Sequence, residues 1–268
     1  MNPEDHYLAL NRQAWNNKVP FHVHSDFYDM ARFLAGQTSL KPIELALLGD
    51  LKGLSLLHLQ CHFGQDSISL ARMGAAVTGM DLSDRAIAQA QELAVQTDSN
   101  ATFICSDVYD LPNHLEGQVD VVYTSYGGIG WLPDLDRWAK VIAHFLKPGG
   151  RFIMVEFHPM SWMFNDDFKA LEFSYFNDGA FVETYNGTYA DTNADLQQTD
   201  VSWNHNIGAV LSSLLQNGLT LKHFEELPYS PYDCYGSDQI VETAPNQFQI
   251  GHLQGKVPMI YSVVATRS

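Results

Sequence analysis

Apolar positions along this chain follow two periods. Leu54 to Leu59, Ala76 to Met80, Thr102 to Cys105, Val119 to Thr124 and Arg151 to Phe157 are short apolar runs, each predicting a buried strand. Between them the spacing changes to three and four. Ala86, Ile87, Ala90, Leu93 and Ala94 form one helical stripe behind the capping residue Ser83. Trp138, Val141, Ile142 and Phe145 form another, stopped by Pro148-Gly149-Gly150. Gln65 to Met73 also has helical composition. Strand and helix therefore alternate, the pattern of a parallel sheet covered on both faces.

The rest of the chain is less regular. Before the first strand, Tyr7, Leu8, Leu10, Ala14 and Trp15 make a rough helical stripe, and Phe21 to Phe33 is too aromatic for a solvated tail. Residues 1–50 thus predict a helical extension and 51–268 the main domain, with 158–201 an insertion after the fifth strand. Within it, Asn186-Gly187 predicts a hairpin turn. Asn204 is a candidate cap for a helix carrying Ile207, Val210, Leu211 and Leu214, followed by a strand over Leu219 to Glu225. Leu227 to Lys256 reads as loop, and Met259 to Thr266 as a final strand.

Composition narrows the function. The chain has 268 residues, 15 basic against 31 acidic, for a net charge of −16. Such a surface repels a polyanion and disfavours nucleic acid as substrate. No apolar run approaches the roughly 18 residues of a membrane span, and the polar, acidic start MNPEDHYLALNRQAW lacks the features of a secretory signal. A cytoplasmic protein, monomer or homodimer, is expected. Cys61, Cys105 and Cys234 show no C-x-x-C spacing, and neither His22-x-His24 nor His58 with His62 has ligand-spaced partners, so no metal is expected.

The candidate chemistry lies at Leu54 to Leu82, a strand, tight turn, helix and second strand ending in an acid. The turn Gln60 to Gly64 falls at the carboxyl edge of the sheet, where helix-start amides and a carboxylate such as Asp81 recognise a nucleotide's ribose. The stretch LHLQCHFGQD resembles motif I of the class I S-adenosylmethionine-dependent methyltransferases, and in particular a bacterial methyltransferase-domain group with this turn. The usual pattern is acid-x-Gly-x-Gly-x-Gly. Here His58 stands for the acid, Gln60 and His62 for the first two glycines, and only Gly64 remains. Side chains at those positions require either a turn of different shape or one that contacts ligand through side chains. Either the Gln60 amide reaches the ligand or it swings aside.

The resemblance implies a Rossmann-like seven-stranded, mostly parallel sheet with helices on both faces and an antiparallel last strand. It also implies S-adenosylmethionine as cofactor and a small-molecule acceptor. Cofactor contacts are expected from Leu59, Gln60, Cys61 and Gly64 in the first turn, from Asp81 and Leu82, and from Asp107 and Val108 at the adenine. Ser125 and Tyr126 follow at the fourth strand's exit. Trp15 and Tyr28 are expected from an N-terminal lid, although packing explains those aromatics equally well. Trp131, Trp162 and Trp203 are candidate substrate walls or core residues. His158 and His205 are candidate general bases or structural histidines. A nicotinamide-dependent oxidoreductase is the alternative enzyme, but its G-x-G-x-x-G fingerprint is absent. A catalytically silent binding protein is the other alternative, and it predicts a turn collapsed across the cofactor volume.

Overall fold

A computed structural model describes residues 6–233, 235 and 237–268, so Cys234 lies outside the described residues. The chain opens with α1 (Tyr7–His24), the short α2 (Met30–Leu34) capped by Asp29, and α3 (Pro42–Leu48), which begins on a proline. Then follow β1 (Ser55–Leu59), α4 (Gln65–Arg72), β2 (Ala76–Asp81), α5 (Asp84–Gln96) and β3 (Thr102–Cys105). The Ser83 side chain accepts from Ala86 N–H at 3.0 Å and starts α5 as expected. Next are β4 (Val119–Ser125), α6 (Leu135–Phe145) and β5 (Leu146–Phe157). The remainder is β6 (Ala180–Asn186), β7 (Gln197–Trp203), α7 (Ile207–Gln216), β8 (Leu219–Leu227), β9 (Ile240–Ala244), β10 (Gln247–Ile250) and β11 (Ile260–Arg267).

Seven strands form one sheet in the order β3-β2-β1-β4-β5-β11-β8. β1, β2, β3, β4 and β5 are parallel to one another, while β11 runs antiparallel to both β5 and β8. The expected Rossmann-like sheet with a reversed last strand is therefore the fold. Chain order reverses between β1 and β4, which opens a crevice at their carboxyl ends. One face of the sheet is covered by α6 and α7 through Trp138, Ile142, Phe145, Val210 and Leu214. The other is covered by α4 and α5 through Ile68, Leu70, Ile87 and Leu93, joined by Phe33 and Leu40. Each such fully buried side chain contributes about 1.5–3 kcal/mol.

Local expectations needed correction. α7 is capped by Asn206, which accepts from Ala209 N–H at 2.9 Å, whereas Asn204 donates to the Ser174 carbonyl. Asn186-Gly187 does not close a tight hairpin; it opens the longer loop between β6 and β7, whose pairing runs from Ala180↔Trp203 to Asn186↔Gln197. Leu227 to Lys256 is not all loop, because β9 and β10 pair across a turn at Asn246, with φ +58°. Polar residues fill about half of those two strands, which hid them. No helix among the described residues is long and apolar enough to cross a membrane.

Candidate active site

The turn after β1 keeps the shape of a glycine turn without the glycines. Gln60 and His62 have φ of +55° and +50°, and Gly64 has +84°. Left-handed backbone at a residue bearing Cβ costs about 1–2 kcal/mol, so something must hold it. Gln60 Nε2 donates to the Gly128 carbonyl at 2.6 Å, tying the turn to the exit of β4. The His62 ring meets His22 of α1, Nε2 to Nδ1 at 2.9 Å. The side chains at both missing-glycine positions are thus tied to protein, with Gln60 still on the cavity wall. Gly64 is required: besides its φ, a Cβ there would lie 2.8 Å from Ala90 and Phe103.

Asp81 ends β2 with Oδ2 accepting from His62 N–H and Oδ1 from Ser83 N–H, both at 2.9 Å. Burial pushes its pKa up to about 6, against the pull of those amides. Asp107 follows β3 and caps the next turn through Tyr109 N–H. Beyond β4, Glu156 of β5 gathers the amides of Gly127, Gly128, Ile129 and Phe157 on one buried carboxyl and so fixes the glycine-rich exit. Its signal in the sequence is plain in retrospect: it is the one acid within the apolar run Phe152 to Phe157.

These strand ends surround a cavity of about 1020 Å³. Asp81, Leu82, Asp107, Val108, Gln60, Cys61 and Gly64 lie on its wall, as do Ser125 and Tyr126. Trp131, Trp203 and His205 line the part beyond β4, and Trp162 stands half-exposed at the rim against Phe157 and Tyr235. Leu59 is not on the wall; it is buried in the core cluster with Met80 and Val122. His158 is also away from the cavity: Nε2 meets Glu226 Oε1 at 2.7 Å and Nδ1 accepts from Met160 N–H. A residue ending a strand can point to either side of the sheet edge, and this one points toward β8. That placement removes it as a candidate base.

The cavity has a roof that sequence periodicity described poorly. The buried face of α1 is Asn11, Ala14, Lys18, Val19 and His22, a largely polar stripe. The Asn11 amide pairs with both backbone groups of Val201 in β7 at 2.8 Å, acting as a one-residue strand. Asn16 bonds Ser83 and Asp84 at the start of α5, and Arg12 bonds the Leu82 carbonyl. α1 therefore spans from the core to the β6–β7 hairpin, with Trp15 against Trp131 and His62. Tyr28 reaches the hairpin loop, its hydroxyl bonded to that of Tyr189.

Comparison with known proteins agrees with this geometry. A family model described as a methyltransferase domain matches residues 56–150. An uncharacterised methyltransferase of Synechocystis sp. is 33% identical over 160 residues, covering 59% of this chain and 73% of that protein. The chain belongs to the class I S-adenosylmethionine-dependent methyltransferases. As a methyltransferase it also matches a ubiquinone biosynthesis O-methyltransferase of Coxiella burnetii, 34% identical over 118 residues, 44% of this chain and 49% of that one. With that enzyme the match thus spans about half the relative's length. The crystal structure of an S-adenosylmethionine-dependent methyltransferase from Mesorhizobium loti shares the fold, with a TM-score of 0.57 and 22% identity over 87% of this chain and 100% of that one.

S-adenosylmethionine is the methyltransferase's cofactor, and the wall suits it. A buried carboxylate stands at the end of β2, and three buried polar atoms of wall residues, Gln60 Oε1, His62 Nδ1 and the Tyr126 hydroxyl, have no partner among the described residues. Groups left unsatisfied at such a cost are normally completed by ligand or water.

Proposed function

We propose that the chain transfers the methyl group of S-adenosylmethionine to a small acceptor held between the glycine-rich exit of β4 and the β6–β7 hairpin. The observation that carries this is the continuity of one cavity from Asp81 and Asp107 to Trp131, Trp203 and His205, roofed by α1. Asp81 would hold the ribose hydroxyls, Asp107 and Val108 the adenine, and Gln60 with Ser125 the methionine part. The cofactor supplies a methyl group on a positively charged sulfur. The protein's work is to align the acceptor with it and exclude water. Trp15, Tyr28 and Tyr189 close over that space. An open turn at Gln60 argues against the silent-protein alternative.

Glu183 and Asp166 on the outer wall disfavour an anionic acceptor. The Coxiella relative's name makes a hydroxyl acceptor in a quinone-like molecule the first to try. His205 is the histidine on that part of the wall. Burial lowers its pKa, so it is neutral near pH 7. Nε2 is bonded to the Leu132 carbonyl at 2.7 Å; that nitrogen therefore carries the proton, and Nδ1 holds the lone pair. In this reading His205→Gln lowers kcat for a phenolic acceptor by about a hundredfold or more. His158→Gln should leave kcat within about threefold and lower thermal stability, because it disturbs only the structural bonds to Glu226 and from Met160 N–H. Equal effects of the two substitutions would exclude His205 as the base.

The cofactor placement has its own test. Asp81→Ala removes charge-assisted bonds and should weaken S-adenosylhomocysteine, measured by isothermal titration, by roughly ten- to a hundredfold, about 1.5–3 kcal/mol. Unchanged affinity in a folded variant would move the ribose elsewhere. The overall reading is tested by label transfer from methyl-tritiated S-adenosylmethionine to a panel of phenols, quinols and amines. Binding without transfer to any of them would favour a silent protein.

A further inference from the structure

One end of the cavity, beneath α3, brings two buried carboxyl groups onto its wall. Glu44 of α3 is 1% exposed and Asp66 lies in the first turn of α4, and both are on the wall. Glu44 Oε1 accepts from the Tyr123 hydroxyl at 3.1 Å and Oε2 from Lys41 N–H. The charged and titratable groups that face this pair are Lys41 of the same helix end, Tyr123 of β4 and Tyr126 just beyond it. Burial first, and Asp66 second, push the Glu44 pKa up to about 8. Burial also raises Asp66, with Ser39 and Lys41 pulling the other way.

Two further observations point to a ligand. The Tyr126 hydroxyl is shut off from solvent and has no hydrogen-bond partner among the described residues, although it lies close enough to both carboxyls for them to raise its pKa. At His58, where motif I usually places an acid, this chain has a ring bonded to Ser67 whose pKa burial lowers to about 3, so it is neutral. The turn itself therefore offers no negative charge there, while two carboxyls stand nearby on α3 and α4. Lys41, also on the wall, adds a cation beside them.

We propose that Glu44 and Asp66 receive the ammonium group, and Lys41 the carboxylate, of the amino-acid end of S-adenosylmethionine, with Tyr126 completing the contact. This extends the cofactor placement argued above and rests on it. A zwitterion matches two acids and one base set side by side, whereas a neutral acceptor does not. The arrangement also has a proton consequence. Without ligand, Glu44 is mostly protonated at pH 7, because its pKa lies above that pH. An ammonium beside it favours the carboxylate, so the Glu44 O–H bond breaks on binding and its proton goes to solvent.

The test is isothermal titration at pH 7 in two buffers of different ionisation enthalpy, which counts the protons released. S-adenosylhomocysteine should release roughly 0.5–1 proton from the parent protein. 5′-Methylthioadenosine, which has the adenine, ribose and sulfur but no amino-acid end, should bind with almost none. Glu44→Gln should abolish the release, weaken S-adenosylhomocysteine about tenfold or more, and leave methylthioadenosine within about twofold. Asp66→Asn is the second variant and should weaken the same ligand selectively. The placement is overturned if Glu44→Gln binds S-adenosylhomocysteine as the parent does with the same proton count, or if methylthioadenosine releases as many protons. It is also overturned if both ligands weaken equally in both variants. Failure of S-adenosylhomocysteine to bind the parent protein would instead overturn the cofactor site as a whole.

Discussion

A variant lacking residues 1–24 should lose turnover by about a hundredfold or more while keeping a folded sheet that still binds S-adenosylhomocysteine. No strand of the seven-stranded sheet comes from the described residues of this segment. Phe33 and Leu40, which belong to the apolar cluster with Phe63 and Ile68, remain in place; a cut extending to residue 38 would remove Phe33 and confuse the result. The face that α1 buries is mainly Asn11, Lys18 and His22, so its loss exposes little apolar surface. What disappears is the roof: the Asn11 clamp on β7, the His22 bond to the first turn, and Trp15 over the wall. Misplacement of an acceptor by about 1 Å costs on the order of a hundredfold in rate, and open water adds to it. Cofactor affinity should fall less, by about tenfold, because Asp81 and Asp107 stay. The three readouts are methyl transfer, titration and the melting curve. Retained turnover would show that α1 is no lid; a collapsed melting curve would show that it is part of the core.

The sheet was legible because its strands are buried on both faces and so spell apolar runs, while its helices spell stripes of three and four. Asp81 and Asp107 were legible for a related reason: a carboxylate directly after a buried strand sits where chain direction and topology put it, whatever its neighbours are. Side-chain direction was not legible. His158 and Glu156 are two residues apart at the end of one strand, yet the histidine bonds Glu226 while the acid gathers the amides of the β4 exit. Nor did the pattern reveal where α1 packs. A helix that buries Asn11, Lys18 and His22 has no apolar stripe to detect, because its partners are a strand edge, an acid and a second histidine. Gln60 and His62 misled in the same way. Their backbone adopts the conformation glycine would supply, and the ties that hold it come from residues distant in sequence.

Lys18→Met should be the most damaging single substitution outside the sheet. Lys18 Nζ lies 3.3 Å from Asp200 Oδ2, and the two side chains are 3% and 4% exposed. The ammonium also sits over Trp15 at 4.3 Å and Trp131 at 5.0 Å, and the Tyr185 hydroxyl bonds the same carboxylate. Burial lowers the lysine's pKa, with Asp200 resisting. Taking away the cation while α1 stays in place leaves Asp200 charged and enclosed, at a cost of about 3–5 kcal/mol. For a chain of this size that is roughly 6–20 °C in melting temperature. The effect should come from the stranded charge rather than from the lost attraction, and a second substitution separates the two. In Lys18→Met with Asp200→Asn, the amide oxygen still accepts from Tyr185 but carries no charge, so most of the loss should return. If the double variant is as unstable as Lys18→Met alone, the packing of the lysine stem against Trp15 and Trp131 matters more than the ion pair. If Lys18→Met melts within about 2 °C of the parent, water reaches Asp200, and the seam between α1 and β7 is looser than the structure shows.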